Sequence, residues 1–558
     1  MTDLVLGPLL RYVDETSASV WVETSAPARV RVVAGEYDAE ATTFAVHGHH
    51  YALVCLEDLP AATRTPYRLE VDGTTVWPEP DSPLPDPMIV TLQPGKPLRM
   101  AFGSCRTSVS HDAKGIKSHG IDALRAYALR MSGLTDTSRD DDPDPGSGVR
   151  WPDLVLFLGD QVYADETSEE MQEFIRSRRS IDEPPGVEVK DYQEYAELYR
   201  LAWTDPVNRW LLSTLPSAMI FDDHDIRDDW NTSQTWRETM EATDWWHDRI
   251  VGGLASYWVH QHLGNLSPAA RAEDEIWQRV QAGETDLSET LDAFADRVDQ
   301  HPETYRWSYT RDFDTQARLV VVDSRNARVL DPARRSLLDE EEMAWFDDHL
   351  VGGFDHLLIA SSLPFLLAPG LHHVEAFSEA MAERAWGSRF AEAGEKLRQS
   401  VDLEHWAAFQ DAFTRTCTAV AEVARGERGP APRTVAFLGG DVHHSYVSEA
   451  WPVHGLPFRS RVIQAVCSPI RNPLPSVMRF VTAFSSYGVA GPMGRLVARS
   501  AKVAAPPWKW RYLGHPWFDN NLATLEIVDD GLHLWWAKGE VDDDPDRPAL
   551  VTVSDVTV

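Results

Sequence analysis

Five short stretches of the chain carry side chains that bind metals or anions, and each follows an apolar run. They are Phe102-Gly-Ser-Cys105-Arg106, Leu158-Gly-Asp160-Gln-Val-Tyr163-Ala-Asp165, Phe221-Asp222-Asp223-His224-Asp225, Val322-Asp323-Ser-Arg325 and Leu438-Gly-Gly-Asp441-Val-His443-His444. Thiol, phenol, imidazole and carboxylate are the donors that hold transition and alkaline-earth ions. Crowding Asp160, Asp223 and Asp441 at one place would be strongly repulsive. Such carboxylates either take up protons or recruit cations. With His and Cys among them, more than one metal ion explains the set better than shared protons. The Gly-Asp and Gly-Gly-Asp turns let the backbone come close to such ions.

The elements that must position these residues are strands. Six apolar runs suit buried strands: Leu98–Phe102, Leu154–Leu158, Ala218–Phe221, Leu319–Val322, Leu357–Ala360 and Val435–Leu438. Helical spacing lies between them, as in Tyr192, Tyr195, Leu198 and Tyr199. Another helical run covers Leu337 to Leu350, where Glu340 to Glu342 suit the positive end of a helix dipole. A third, highly charged, runs over about 273–299. Alternating strands and helices imply an α/β domain, and in open α/β sheets ligands bind beyond the carboxyl ends of the strands. One rim would therefore receive all five stretches. Residues from about 5 to 95 differ: Ala18–Glu23, Arg29–Val33, Tyr51–Cys55 and Tyr67–Val71 alternate apolar with polar, and Asp72-Gly73 is a hairpin turn. Leu59 to Tyr67 is similar to the tyrosine corner of immunoglobulin-like sandwiches. An extended proline-rich segment, Pro78 to Pro87, comes next. We place a boundary near residue 96, giving a β-sandwich domain at 1–96 and a larger α/β domain at 97–558. Leu522–Val528 and Leu532–Ala537, joined through Asp529 and Gly531, read as a late hairpin.

The formal net charge of −35 argues against non-specific binding to nucleic acid or anionic membranes, which need basic patches. It leaves room for an anionic small substrate where metal ions reverse the local sign. No stretch approaches the ~18 apolar residues of a membrane helix, and the first residues lack the basic and apolar regions of a signal peptide. Cys55, Cys105, Cys417 and Cys467 are far apart, with no CxxC, so a reducing, cytoplasmic compartment is the expectation.

In order along the chain, GSC, GDxxY, DDHD and GGDVH resemble the alkaline phosphatase D (PhoD-like) family of metallophosphoesterases, from about residue 98 to the end. The resemblance implies a metallophosphoesterase-type α/β/β/α sandwich preceded by an immunoglobulin- or fibronectin-like β-sandwich. It implies Cys105 as a thiolate ligand, Asp160 as a bridging carboxylate and Tyr163 as a phenolate. Asp222 or Asp223, with Asp223 favoured, takes the place of the Asn in the wider superfamily's GNHD motif. Asp441 and His443 complete the ligands. His224 would protonate the leaving group or bind phosphate. The family's Asn near the end of the third motif falls on Asp229, with Asn231 close by. Fe3+ with Ca2+ is the implied pair, with Zn2+ or Mn2+ as alternatives. The implied reaction is hydrolysis of a small-molecule phosphomonoester or phosphodiester by metal-activated water. Arg106, Arg227 and Arg325 would neutralise the developing charge. The alternatives are a phospholipase-type phosphodiesterase and a metal-stabilised binding protein without turnover.

The remaining marked residues carry structural expectations. Cys55, Cys417 and Cys467 belong to the core. Two-residue spacing points Asp441 and His443 the same way if the strand continues, with His444 facing away. Asp323 and Arg325 form a buried ion pair, and Arg328 is structural. Asp165 and Glu166 lie in a solvated loop or support the site from behind. His372-His373 is a surface feature near the entrance. Trp230, Trp245, Trp246 and Trp258 pack in the core or a lid, and the acidic run 139–144 is a solvated loop.

Overall fold

The computed structural model describes residues 2–135, 150–382, 403–474, 490–529, 531–541 and 544–558; the acidic run 139–144 falls outside them. Among the described residues, four sheets organise the chain. Two belong to the N-terminal region. One contains Leu4–Val13, Ala18–Thr24, His49–Leu56 and Phe44–Val46, and the other is built on Arg29–Ala34, Tyr37–Thr42, Arg64–Val71 and Thr74–Trp77. Their facing side chains, among them Val20, Val22, Val32, Val54 and Leu69, form the sandwich interior. Trp21 and Leu53, on the opposite face of the first sheet, join the main core instead. Period-two alternation therefore serves two cores, one on each face. This explains why Ala18–Thr24 is buried at every position.

A six-stranded sheet runs Ser217–Ile220, Leu154–Leu158, Arg99–Gly103, Leu522–Val528, Gly531–Glu540 and Ala549–Thr557. Its first three strands are parallel, and Leu522–Val528 joins antiparallel to Arg99–Gly103. A seven-stranded sheet is centred on the parallel strands Ala317–Val322, His356–Ser361, Thr434–Gly439 and Arg461–Val466. The two sheets face each other. Leu319, Val321, Leu358, Ala360, Ala436 and Leu438 share the main core with Met100, Phe102 and Leu156. Their neighbours Val320, Val322, Leu357, Ile359, Val435 and Phe437 pack outward against the helices Glu340–His349 and Gln410–Arg425. Helix Ala123–Met131 covers the six-stranded sheet, with Ala126 and Tyr127 buried against it.

The six apolar runs are all strands, displaced by no more than two residues at either end. The charged run at 273–299 is not one helix. It divides into Glu275–Gln281 and Ser288–Gln300, preceded by Pro268–Glu273, because Asp274 caps the second helix through Trp277 N–H and Gly283 ends it at a φ of +88°. Tyr67 makes no tyrosine corner: its hydroxyl donates to the Ser213 carbonyl, across the junction with the larger region, at 2.7 Å. His372 and His373 are not on the surface. They lie buried on helix Pro369–Ala382, with His372 against Phe413 and Trp510. No helix among the described residues is long and apolar enough to cross a membrane.

Candidate metal centre

The strands Arg99–Gly103, Leu154–Leu158 and Thr434–Gly439 end at one rim, and the chain leaves each through left-handed backbone. Cys105, Asp160, Asp441 and His443 have φ of 58°, 51°, 63° and 50°, and Asp229 and Asn231 on the adjoining loop have 64° and 59°. Each such residue costs roughly 1–2 kcal/mol, and this kind of strain gathers at functional sites. Specific bonds hold it here. Cys105 N–H donates to the Gly159 carbonyl, Asp160 N–H to Asp225 Oδ2, Asp441 N–H to Ser104 Oγ and His443 N–H to Ser468 Oγ. The glycines of the turns make room for neighbouring loops: a Cβ on Gly159 would strike Asp222, and one on Gly440 would strike Ser104.

Three overlapping groups of donor atoms result, each within 4.8 Å: Cys105, Asp160 and His443; Asp160, Asp223 and His224; and Asp160, Asp222, Asp223 and Asp441. Asp160 is common to all three. Cys105 Sγ lies 3.2 Å from Asp160 Oδ2 and takes a hydroxyl from Ser468 at the same distance. Tyr163 Oη is 3.4 Å from Asp160 Oδ2. Burial pushes the Cys105 thiol and the Asp160 carboxyl well above their ordinary values, and neighbouring carboxylates add to the effect. Burial also carries Asp225 to about 7, and Asp229 to about 8 with help from Glu404 and Asp228. Asp160 Oδ1, Asp222 Oδ2 and Asp229 Oδ1 are buried yet accept no hydrogen bond. Crowded carboxylates, unused acceptor oxygens and a thiol beside an imidazole fit a site for cations.

Arg325 is fully buried, with its guanidinium enclosed by Asp222, Asp223 and Glu404. It therefore neutralises carboxylates and does not face an incoming phosphoryl group. Asp323 is not its partner: that carboxylate accepts the backbone N–H groups of Arg325, Asn326 and Ala327. Arg328 binds Glu404. Arg227 binds Glu188 and lies over the Trp245 ring. Arg106 is also absent from the cluster. It is buried, bonded to Asp122 at 2.8 and 3.0 Å and to the Ala202 carbonyl. Arg106→Met should lower stability by about 3–5 kcal/mol, the effect of breaking a buried pair, as read by urea unfolding. Unchanged stability with impaired turnover would restore the phosphoryl role.

Asp165 is not solvated: it holds His224 Nδ1 at 2.9 Å and Asp228 N–H. Asp229 N–H donates to Asp223 Oδ2, and Asn231 Nδ2 to the Arg325 carbonyl, so both shape the loop. Neither residue belongs to the three groups. His444 turns from the rim and stacks on Tyr446 and Phe518. Sequence reasoning missed Glu375, Glu404 and His405. His405 bridges Glu375 at 2.7 Å, a buried contact, and Asp441 at 2.9 Å. The Glu404-His405 doublet beside Trp406 was the available signal, but it does not come directly after a strand.

Residues 148–477 match the family described as PhoD-like phosphatase, and residues 1–89 match a domain of unknown function, DUF7800. No curated protein matches the chain. The solved structure of PhoD is similar at 12% identity and TM-score 0.59, covering 99% of this chain and 90% of that one. Purple acid phosphatase PPD1 from yellow lupin (Lupinus luteus) seeds gives 11% identity and TM-score 0.48, covering 95% of this chain and 71% of that one.

Proposed function

Because the chain belongs to the PhoD-like phosphatase family, we propose that the rim cluster is the two-metal centre of a phosphoric ester hydrolase. Cys105, Tyr163 and His443 would hold one ion, Asp223 and Asp441 the other, and Asp160 both. The observation that carries this reading is the sharing of Asp160 by all three compact donor groups among the described residues. Asp222 is the weaker ligand, since Arg325 occupies one of its oxygens. The donors divide by softness. Thiolate, phenolate and imidazole suit a transition ion, and carboxylates suit a hard one, so Fe3+ and Ca2+ are proposed.

Bound ions would supply Lewis acidity at the phosphoryl oxygens and lower the pKa of water. The chain's residues do the rest. Arg325 tempers the carboxylates that would otherwise repel an anionic ester. Asp165 fixes the His224 ring through Nδ1, leaving Nε2 to deliver a proton to the departing oxygen. Burial acts to lower the His224 pKa, but Asp165 and Asp223 outweigh it and raise it well above the ordinary value, which favours the protonated imidazole. The substrate is a small-molecule phosphate ester, and turnover of mono- against bis-substituted esters separates phosphatase from phospholipase-type action.

Elemental analysis of natively purified protein should find iron with calcium. Its visible spectrum should show a phenolate charge-transfer band that Tyr163→Phe removes. Zinc or manganese alone would overturn the iron assignment.

A further inference from the structure

Arg11 lies on the N-terminal strand Leu4–Val13 and is wholly buried. Its guanidinium donates to the carbonyls of His260 and Gln261 at 2.6 Å each, and to the Ser217 carbonyl and Asn265 Oδ1 at 3.3 Å. All four acceptors are uncharged. A buried cation held only by neutral oxygens is costly, so its position needs a reason. Gly264 leaves the space it fills: a Cβ there would come within 2.5 Å of the guanidinium carbon.

Three of the four acceptors, on His260, Gln261 and Asn265, sit at the end of a distorted helix. Trp246–Tyr257 is α-helical, Trp258–His262 widens into a π turn, and Leu263–Asn265 tightens into a 3-10 turn. The carbonyl end of a helix favours a cation, and π turns concentrate at functional positions. From this turn Gln261 Nε2 donates to Asp225 Oδ1 at 3.1 Å and to Tyr199 Oη at 2.9 Å. Asp225 Oδ2 accepts the backbone N–H groups of Asp160 and Asp222, both at 2.9 Å. A continuous set of hydrogen bonds thus runs from the N-terminal sandwich to the backbone of two rim carboxylates. One of them, Asp160, holds a strained φ of 51°.

We infer that Arg11 is a positioning residue of the metal centre. The N-terminal sandwich, through the π turn and the Gln261–Asp225 bond, holds the Asp160 and Asp222 backbone in ligating register. This rests on the reading of the rim as a metal site. It gives the region matching a domain of unknown function a specific task, where mere adhesion would require only apolar contact.

Metal retention tests it without substrate. The metal-loaded protein is mixed with excess chelator, and release is followed by elemental analysis of the desalted protein. Arg11→Met and Gln261→Met should each release metal at least ~10-fold faster, the lower end for loss of an outer partner. The double variant should be little worse than either single one, because both cut the same route. Tyr67→Phe removes another bond across the same junction, one that leads to Ser213 and not to the rim, and should release metal at the wild-type rate. Should Arg11→Met fail to fold, Gln261→Met decides alone, since it leaves the Arg11 contacts to backbone carbonyls in place. Unchanged release in Gln261→Met overturns the inference, as does equal acceleration by Tyr67→Phe. Wild-type protein that retains no metal overturns the inference together with the metal-site reading. Wild type and variants that retain metal equally overturn the relay alone.

Discussion

Asp160→Asn is expected to remove phosphatase turnover by at least ~10³-fold while leaving the fold intact. Loss of an outer partner alone typically costs about 10–100-fold in metal affinity or activity, and Asp160 belongs to all three compact donor groups among the described residues. The substitution keeps the side-chain volume and the backbone bond to Asp225. It also removes one charge from a crowded, buried set, so the apoprotein should be no less stable than wild type. The measurement pairs initial rates on a phosphomonoester with circular dichroism and metal content. Full activity with metal retained would end the assignment of Asp160 as the shared ligand.

Chelation is expected to make stability fall as pH rises, contrary to the usual behaviour of paired carboxylates. The sign comes from the direction of the shifts. Burial lifts Asp225 from 3.8 to about 7, and lifts Asp229 to about 8 with neighbouring carboxylates adding to it. A carboxyl whose folded pKa is raised favours the folded state fully below its unfolded pKa. That advantage drains away as pH climbs from about 4 through the folded pKa. For Asp225 alone the span from 3.8 to about 7 corresponds to about 4 kcal/mol. Bound cations would offset the charge, so the loaded protein should vary little over the same range. Urea unfolding at pH 5, 6.5 and 8, with and without chelator, reads the difference. Parallel curves would mean that the carboxylates do not face ions.

The rim was legible because the sequence marks it twice, by an apolar run long enough to be a buried strand and by polar residues directly after it. Leu154–Leu158 with Asp160, and Thr434–Gly439 with Asp441, stand where that pairing puts them. The path of the chain beyond each strand was less legible. Asp441 and His443 converge because both turn through left-handed backbone, not because a strand continues. The guanidinium partners were illegible: nothing local to Arg106 shows that Asp122 will meet it, or that Glu404 will reach Arg325. Glu375 and His405 went unmarked, since their burial depends on segments distant in the chain. The helices Glu275–Gln281 and Ser288–Gln300 were read as one run over about 273–299 because charge density masks a cap. Asp274 and Gly283 supply the punctuation.

The main core runs without a seam from Leu6, Leu9, Trp21 and Tyr51 of the sandwich into Ile220, Trp258 and Leu263 of the larger region. A join of that kind means the two regions are not separate units in thermodynamics. Severing them would uncover an oily wall on each half, so neither is an exchangeable part: recombination that swapped the front piece would also have to rewrite the surface it rests on.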